Sequence, residues 1–97
     1  MFKINLSPQV RLDTLTLSKQ GETLVINGEN YDFSQLTEGA TLPRDAINCD
    51  HIVSDVSRVN GDIELTILLP IAANASEAAR FPEPISVSAD GQIILPK

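Results

Sequence analysis

Cys49, Asp50 and His51 stand consecutively, and a thiol, a carboxylate and an imidazole are the parts of a base-activated nucleophile or of a metal site. The spacing works against both. In an extended chain Cys49 and His51 point to one face and Asp50 to the other, so the three groups do not converge. A structural zinc site takes four Cys or His ligands, and the chain holds one of each. Immediate neighbours rarely form a catalytic pair, which a fold normally assembles from separate segments. The expectation is a half-buried strand entry in which Cys49 acts as a small hydrophobe. Asn60, Asp62 and Glu64 are spaced by two, like oxygen ligands of a calcium loop. An EF-hand loop counted from Asn60, however, would put Leu65 where glycine is needed and Ile71 where the bidentate glutamate is needed. A turn followed by the solvent side of a strand accounts for the same residues. The carboxylates are too scattered to single out a pair for glycoside hydrolysis. There is no glycine-rich phosphate loop and no nucleophile elbow. No catalytic, cofactor-binding or metal-ligating residue is therefore assigned, no cofactor is implied, and the chain is not expected to be an enzyme.

The elements that would position these residues read as strands, because the dominant period is two. Phe2, Ile4 and Leu6 share a face, with Pro8 expected to end the segment for want of a ladder donor. Val10 and Leu12 keep the even phase while Leu15 and Leu17 take the odd, so a break is expected near Asp13. Thr14–Ser18 and Thr23–Asn27 read as a hairpin joined by Lys19-Gln20-Gly21-Glu22, and Asn27-Gly28 as a tight turn leading on to Tyr31 and Phe33. Residues 34–44 lack a period and predict a long loop, with one helical turn at most, dividing the chain in two. The clearest hairpin is His51–Val59 with Asp62–Leu69 about Asn60-Gly61, although Ile52, Val53, Val56 and Val59 fit a helical face nearly as well. Pro70 is expected to close it. Asn74 to Arg80 carries a capping residue and helix formers for about two turns before Pro82 and Pro84 forbid more. Ile85–Ala89 and Gln92–Leu95 predict a last hairpin about Asp90-Gly91. The fold class expected is all-β or mostly β, antiparallel hairpins forming a small sandwich or barrel-like body with at most one or two short helical turns.

Ninety-seven residues supply one core and hence a single domain, 1–97. Thirteen acidic against seven basic residues leave a net charge of −6, and that sign repels phosphate backbones, so nucleic acid is not an expected partner. The basic residues fall singly along the chain and read as solvated surface. The four aromatics, Phe2, Tyr31, Phe33 and Phe81, are too few and too separated for base stacking and are assigned to the core. One cysteine cannot make an internal disulfide, and the opening residues lack the apolar stretch of a secretory signal, so a reducing cytoplasm is expected. The longest apolar run, Ile67–Ala73, is far too short to span a bilayer, and no membrane contact is expected. What remains is the long segment between Pro70 and Pro84, where Ile71, Asn74, Arg80 and Phe81 are the candidate partner-contact residues. Uncovered sheet edges add a route to self-association, making a homo-oligomer the second expectation.

Three stretches carry a resemblance: Ile4-Asn5-Leu6-Ser7-Pro8, Thr37-Glu38-Gly39-Ala40-Thr41-Leu42-Pro43, and Leu68-Leu69-Pro70 through Ala73-Asn74-Ala75 to Arg80-Phe81-Pro82-Glu83-Pro84-Ile85. Together they resemble a family of small proteins encoded in the tail and virion gene region of tailed bacteriophages and prophages. The likeness spans most of the chain but rests on turns, strand ends and loops, and it brings no catalytic residue with it. It implies a phage setting, the host cytoplasm or the virion as location, and other phage structural or assembly proteins as partners. The function expected is an accessory virion (tail) structural or assembly role exercised by protein–protein contact. The alternative is a small acidic regulatory or anti-host factor that binds a bacterial protein through its charge.

Overall fold

The computed structural model describes residues 1–95. Along the chain run β1 (Phe2–Val10), β2 (Leu17–Gln20), β3 (Thr23–Ile26), β4 (Glu29–Asp32), β5 (Thr41–Leu42), a 3-10 turn at Arg44–Ala46, β6 (Val56–Val59), β7 (Asp62–Ile71), a short helix α1 (Glu77–Arg80), β8 (Ile85–Val87) and β9 (Gly91–Ile93). One sheet has the order β5-β6-β7-β1-β8 and the other β4-β3-β2-β9. Alternation puts one face of each strand inward. Phe2 and Ile4 of β1 and Ile63, Leu65 and Ile67 of β7 meet Leu17, Leu24, Ile26 and Ile93 of the other sheet in a single buried cluster. The mostly-β class follows from the sequence as expected, with two sheets built largely from antiparallel pairs.

The departure is at the centre, where β1 and β7 run parallel from Phe2 beside Ile63 to Val10 beside Ile71. Hairpin logic cannot predict this pair, because parallel neighbours need a long crossover and leave no turn signature. The same pair overturns the expectation that Pro8 and Pro70 end their strands, since both lie inside them. Arg11 N donates to Ile71 O at 3.2 Å and Ile63 N to Met1 O at 3.0 Å, so odd positions of the two strands bond each other. Pro8 and Pro70 are even, and their donor-less nitrogens face outward. On that side β8 covers only Phe2–Ile4. The neighbour of β7 ends at His51, whose carbonyl takes the Leu68 N–H at 2.7 Å. A proline costs no ladder bond where no partner strand lies.

The meander β2-β3-β4 forms, though β2 starts at Leu17 and takes in Lys19 and Gln20, expected in the turn, and Asn27 and Gly28 sit at φ 49° and 83° in the turn between β3 and β4. A phase break does occupy the crossover from β1 to β2 around Asp13. The Asn60-Gly61 hairpin also stands, but its first arm is a strand only over β6. Residues 51–54 instead take an irregular path, touching β7 through the Ile52–Ile67 bridge. That resolves the ambiguous period, because Ile52 and Val56 are both fully buried while Val59 is exposed. Residues 34–44 hold β5, and the loop does not divide the chain: β1 joins β7 in one sheet and β9 joins β2 in the other. The helical stretch is shorter than expected and its cap is Ser76, not Asn74, with the Ser76 hydroxyl accepting the Ala79 N–H at 3.3 Å.

The last expected hairpin does not form. β8 pairs with β1 and β9 with β2, so the chain crosses from one sheet to the other at residues 88–90. Lys19 is the reason the crossing is fixed. It shares the inward face of Leu17 and is only 6% exposed, with Nζ donating to Ser88 O at 3.1 Å and Asp90 Oδ1 at 2.9 Å. Asp90 also accepts the Gly21 N–H at 3.0 Å. A side chain that reads as solvated surface thus closes one margin of the sandwich. The Lys19 hydrogen bond, the Gly21 N–H and the Lys19 charge hold the Asp90 carboxyl below its usual 3.8 against a small opposing effect of burial. A carboxylate depressed in the folded state stabilises the fold above its unfolded value, and that stability drains as the pH falls through the folded value. Denaturation midpoints are therefore expected to fall below about pH 4, and Asp90→Asn to flatten that slope. An equally steep acid slope in Asp90→Asn would remove this assignment.

Candidate functional site

Two places carry enough chemistry or exposed apolar surface to be considered. The first holds the residues that the sequence makes conspicuous. Cys49, Asp50 and His51 lie in a turn, not in a strand, and with Tyr31 they line an open pocket of about 290 Å³. The turn breaks the alternation expected there, and the imidazole swings away from the thiol: His51 Nε2 lies 3.0 Å from Asp13 Oδ2. Burial opposes ionisation of Asp13, but its own backbone N–H, His51 and Arg11 outweigh it and hold the carboxyl below the usual range. The thiol's neighbour is Tyr31, whose hydroxyl donates to Asn48 O at 3.2 Å. The Cys49 side chain, burial and nearby negative charge push the phenol up to about 12, so at neutral pH it is a donor and no base. The imidazole is bonded to one carboxylate and the thiol sits beside a protonated phenol. The base thus orients toward Asp13, which ties the β1–β2 crossover to the 48–54 segment, and the nucleophile–base bond of covalent catalysis is not made. Among the described residues no three His, Cys, Asp or Glu side chains converge as a metal would need.

The Asn60-Asp62-Glu64 series is likewise absorbed by structure. Asn60, at φ 53°, and Gly61, at φ 82°, form the turn, and the Glu38 carboxylate accepts both of their N–H groups at 2.8 and 2.6 Å. Asp62 pairs with Lys3 at 3.4 Å.

The second place is apolar. Phe81 follows α1 and is 74% exposed, which corrects its assignment to the core; Phe2 and Phe33 are buried as expected. Phe81 ends the helix at φ −127°, ψ 63°, and Pro82 behind it cannot continue the helix. Beside Phe81 stands Ile94, 87% exposed. The two share a shallow concavity of about 380 Å³ with Ala78, Glu83 and Ile85. Ile94 also borders an adjoining groove of about 440 Å³ whose wall includes Leu15, Leu69 and Ile93. Of the contact residues expected from sequence, Arg80 adjoins Phe81 and donates from Nη2 to Ala73 O at 2.8 Å, which stiffens the 73–80 loop. Asn74 is exposed in that loop. Ile71 ends β7 beside the exposed Val10 and is not among the residues lining the Phe81 concavity. Ile94 and Ile85 were missed. The signal was present in the doublet Ile93-Ile94, since a strand cannot bury two consecutive side chains on one face. No helix is long and apolar enough to cross a membrane among the described residues. Comparisons with protein-family models, with curated proteins and with solved structures find no match for this chain.

Proposed function

We propose that the protein works by protein–protein contact, with no chemistry of its own, as an accessory structural or assembly component of a phage or prophage virion, most naturally the tail. The observation that carries this reading is the pair Phe81 and Ile94, large apolar side chains left open on one rim. Exposed apolar surface of this kind, edged by polar groups, is what binding faces are made of. The conspicuous polar residues support the same reading, because His51, Asp13, Glu38, Lys19 and Asp90 are all engaged in holding loops and sheet margins together. The phage setting rests on the resemblance of the three stretches described above. The partner is a virion protein whose contact surface is apolar with a basic rim, complementary to a chain of net charge −6 with Glu83 at the concavity.

Capture of the products of adjacent virion genes on immobilised protein tests the reading, with Phe81→Asp/Ile94→Asp as the comparison. Both positions are exposed, so the double variant is expected to keep its denaturation midpoint and to lose most of the capture, on the order of tenfold or more. Capture of none of those proteins, or undiminished capture by the variant, would overturn it.

A further inference from the structure

We propose that the Phe81–Ile94 face is also where a second copy of this chain docks, by antiparallel pairing of the two β9 edges about a two-fold axis; this rests on the reading of that face as a contact surface.

The hydrogen-bond phase places the free groups. Asn27 N donates to Thr16 O at 2.9 Å, and Thr16, Ser18 and Gln20 are in phase, so the even positions of β2 bond β3. Its odd positions are left to bond β9, where Leu17 faces Ile93 and Lys19 faces Gly91. Gln92 and Ile94, on the opposite phase, therefore direct N–H and C=O away from β2. Among the described residues no strand lies beyond them, because β9 stands at the end of its sheet.

The charge pattern selects the occupant. Two copies of a chain of net charge −6 repel, so self-pairing needs an edge free of like charge. The other edge of this sheet is β4, where Glu29 and Asp32 are both exposed, so a paired second copy would bring like charges close together. That is how natural edges are kept from pairing. The edge β5 is only two residues long, and the outward-facing positions of β8 include Pro84, which has no N–H, and Ser88, whose carbonyl Lys19 already engages. From Gly91 to Leu95 there is no charge at all, and Asp90 just before is neutralised by Lys19 at 2.9 Å.

The sequence of the edge is also self-complementary. Centred on Ile93, the antiparallel register sets Gln92 opposite Ile94 of the second copy and Ile94 opposite its Gln92, and both positions present their bonding groups outward. Each such pair exchanges two hydrogen bonds. Ile93 then meets its own equivalent on the inward face, extending the core, while Ile94 and Phe81 are covered from the added strand. The contact is isologous and closes at two, so it does not propagate into a fibre. An edge this short falls below the roughly 800 Å² per partner of a standard interface, so the dimer is weak and forms as concentration rises.

Sedimentation equilibrium of the full chain up to millimolar concentration, joined to amide hydrogen exchange, is the test. A monomer–dimer equilibrium is expected, with slowed exchange at Gln92 and Ile94 as dimer accumulates. Gln92→Pro removes one outward N–H and no intrachain bond, and Gly91 before it tolerates the proline; dissociation is expected to become at least tenfold easier. Asn30→Pro removes an outward N–H from β4 in the same way and is expected to leave dimerisation unchanged. Ile94→Asp, at a position too exposed to unfold the chain, is expected to weaken the dimer as Gln92→Pro does. A strict monomer at every concentration overturns the dimer, as does equal weakening by Asn30→Pro or none by Gln92→Pro and Ile94→Asp. Virion-protein capture that still depends on Phe81 and Ile94 in a strictly monomeric chain would leave the contact function standing without self-pairing.

Discussion

Phe2→Ala is expected to lower the unfolding free energy by about 4 kcal/mol, the middle of the range for deleting a fully buried phenylalanine. Phe2 is 1% exposed and sits where the fold is most interdependent. Its backbone lies between Ile63 of β7 and Val87 of β8, and its ring meets Phe33, which follows β4 in the other sheet, edge-on at 6.1 Å and 67°. Removing the ring leaves a cavity between two sheets that cannot close without shifting β1, and it also removes an aromatic pair worth roughly 1 kcal/mol beyond area burial. Urea denaturation checks it. The midpoint should move with little change in slope, and a loss below about 1.5 kcal/mol would mean that the sheets close over the gap.

The second large effect is expected at Arg58, whose replacement by alanine should cost about 3 kcal/mol because it orphans the part-buried carbonyls of Phe33 and Leu36 together. Arg58 shares the inward face of Val56 on β6, and its side chain reaches across the margin opposite Lys19. Nε donates to Leu36 O and Nη2 to Phe33 O at 3.2 Å, while Nη1 reaches Glu22 Oε1 at 3.1 Å. The carboxylate is the lesser part. Glu22 is 46% exposed, so Glu22→Gln is expected to cost under about 1 kcal/mol, as solvent-screened pairs do. Arg58→Lys should recover little of the loss, since a single ammonium cannot serve the carbonyls along a planar fork. A lysine variant as stable as the wild type would show that charge alone matters at this position. The Glu22→Gln and Arg58→Ala measurements together separate ion pairing from carbonyl satisfaction.

Lys19 and Arg58 also explain why the candidate site was only partly legible. Each reads in the sequence as a lone basic residue on a solvated face, yet each crosses a sandwich margin and fixes loops from distant parts of the chain. His51 belongs with them, because the partner that engages it is Asp13, thirty-eight positions away, and not its neighbour Cys49. Phe81 lies exposed where the core is expected of it, since an isolated aromatic after a short helix carries no period that says which way it turns. Ile94, by contrast, could have been found from its neighbour.

Turns and faces were within reach of local reasoning. Asn27-Gly28 and Asn60-Gly61 bend the chain where positive φ is tolerated, and the period-two alternation of Asp62–Leu69 sorts inward from outward side chains, because both effects act over a few residues. Strand neighbours were not. β1 lies parallel to β7, and β8 and β9 part into different sheets, because joining strands across the length of the chain is governed by burial of a shared core and by contacts such as Lys19 with Asp90. Those gains exist only once remote segments have met, and no stretch of a few residues carries them.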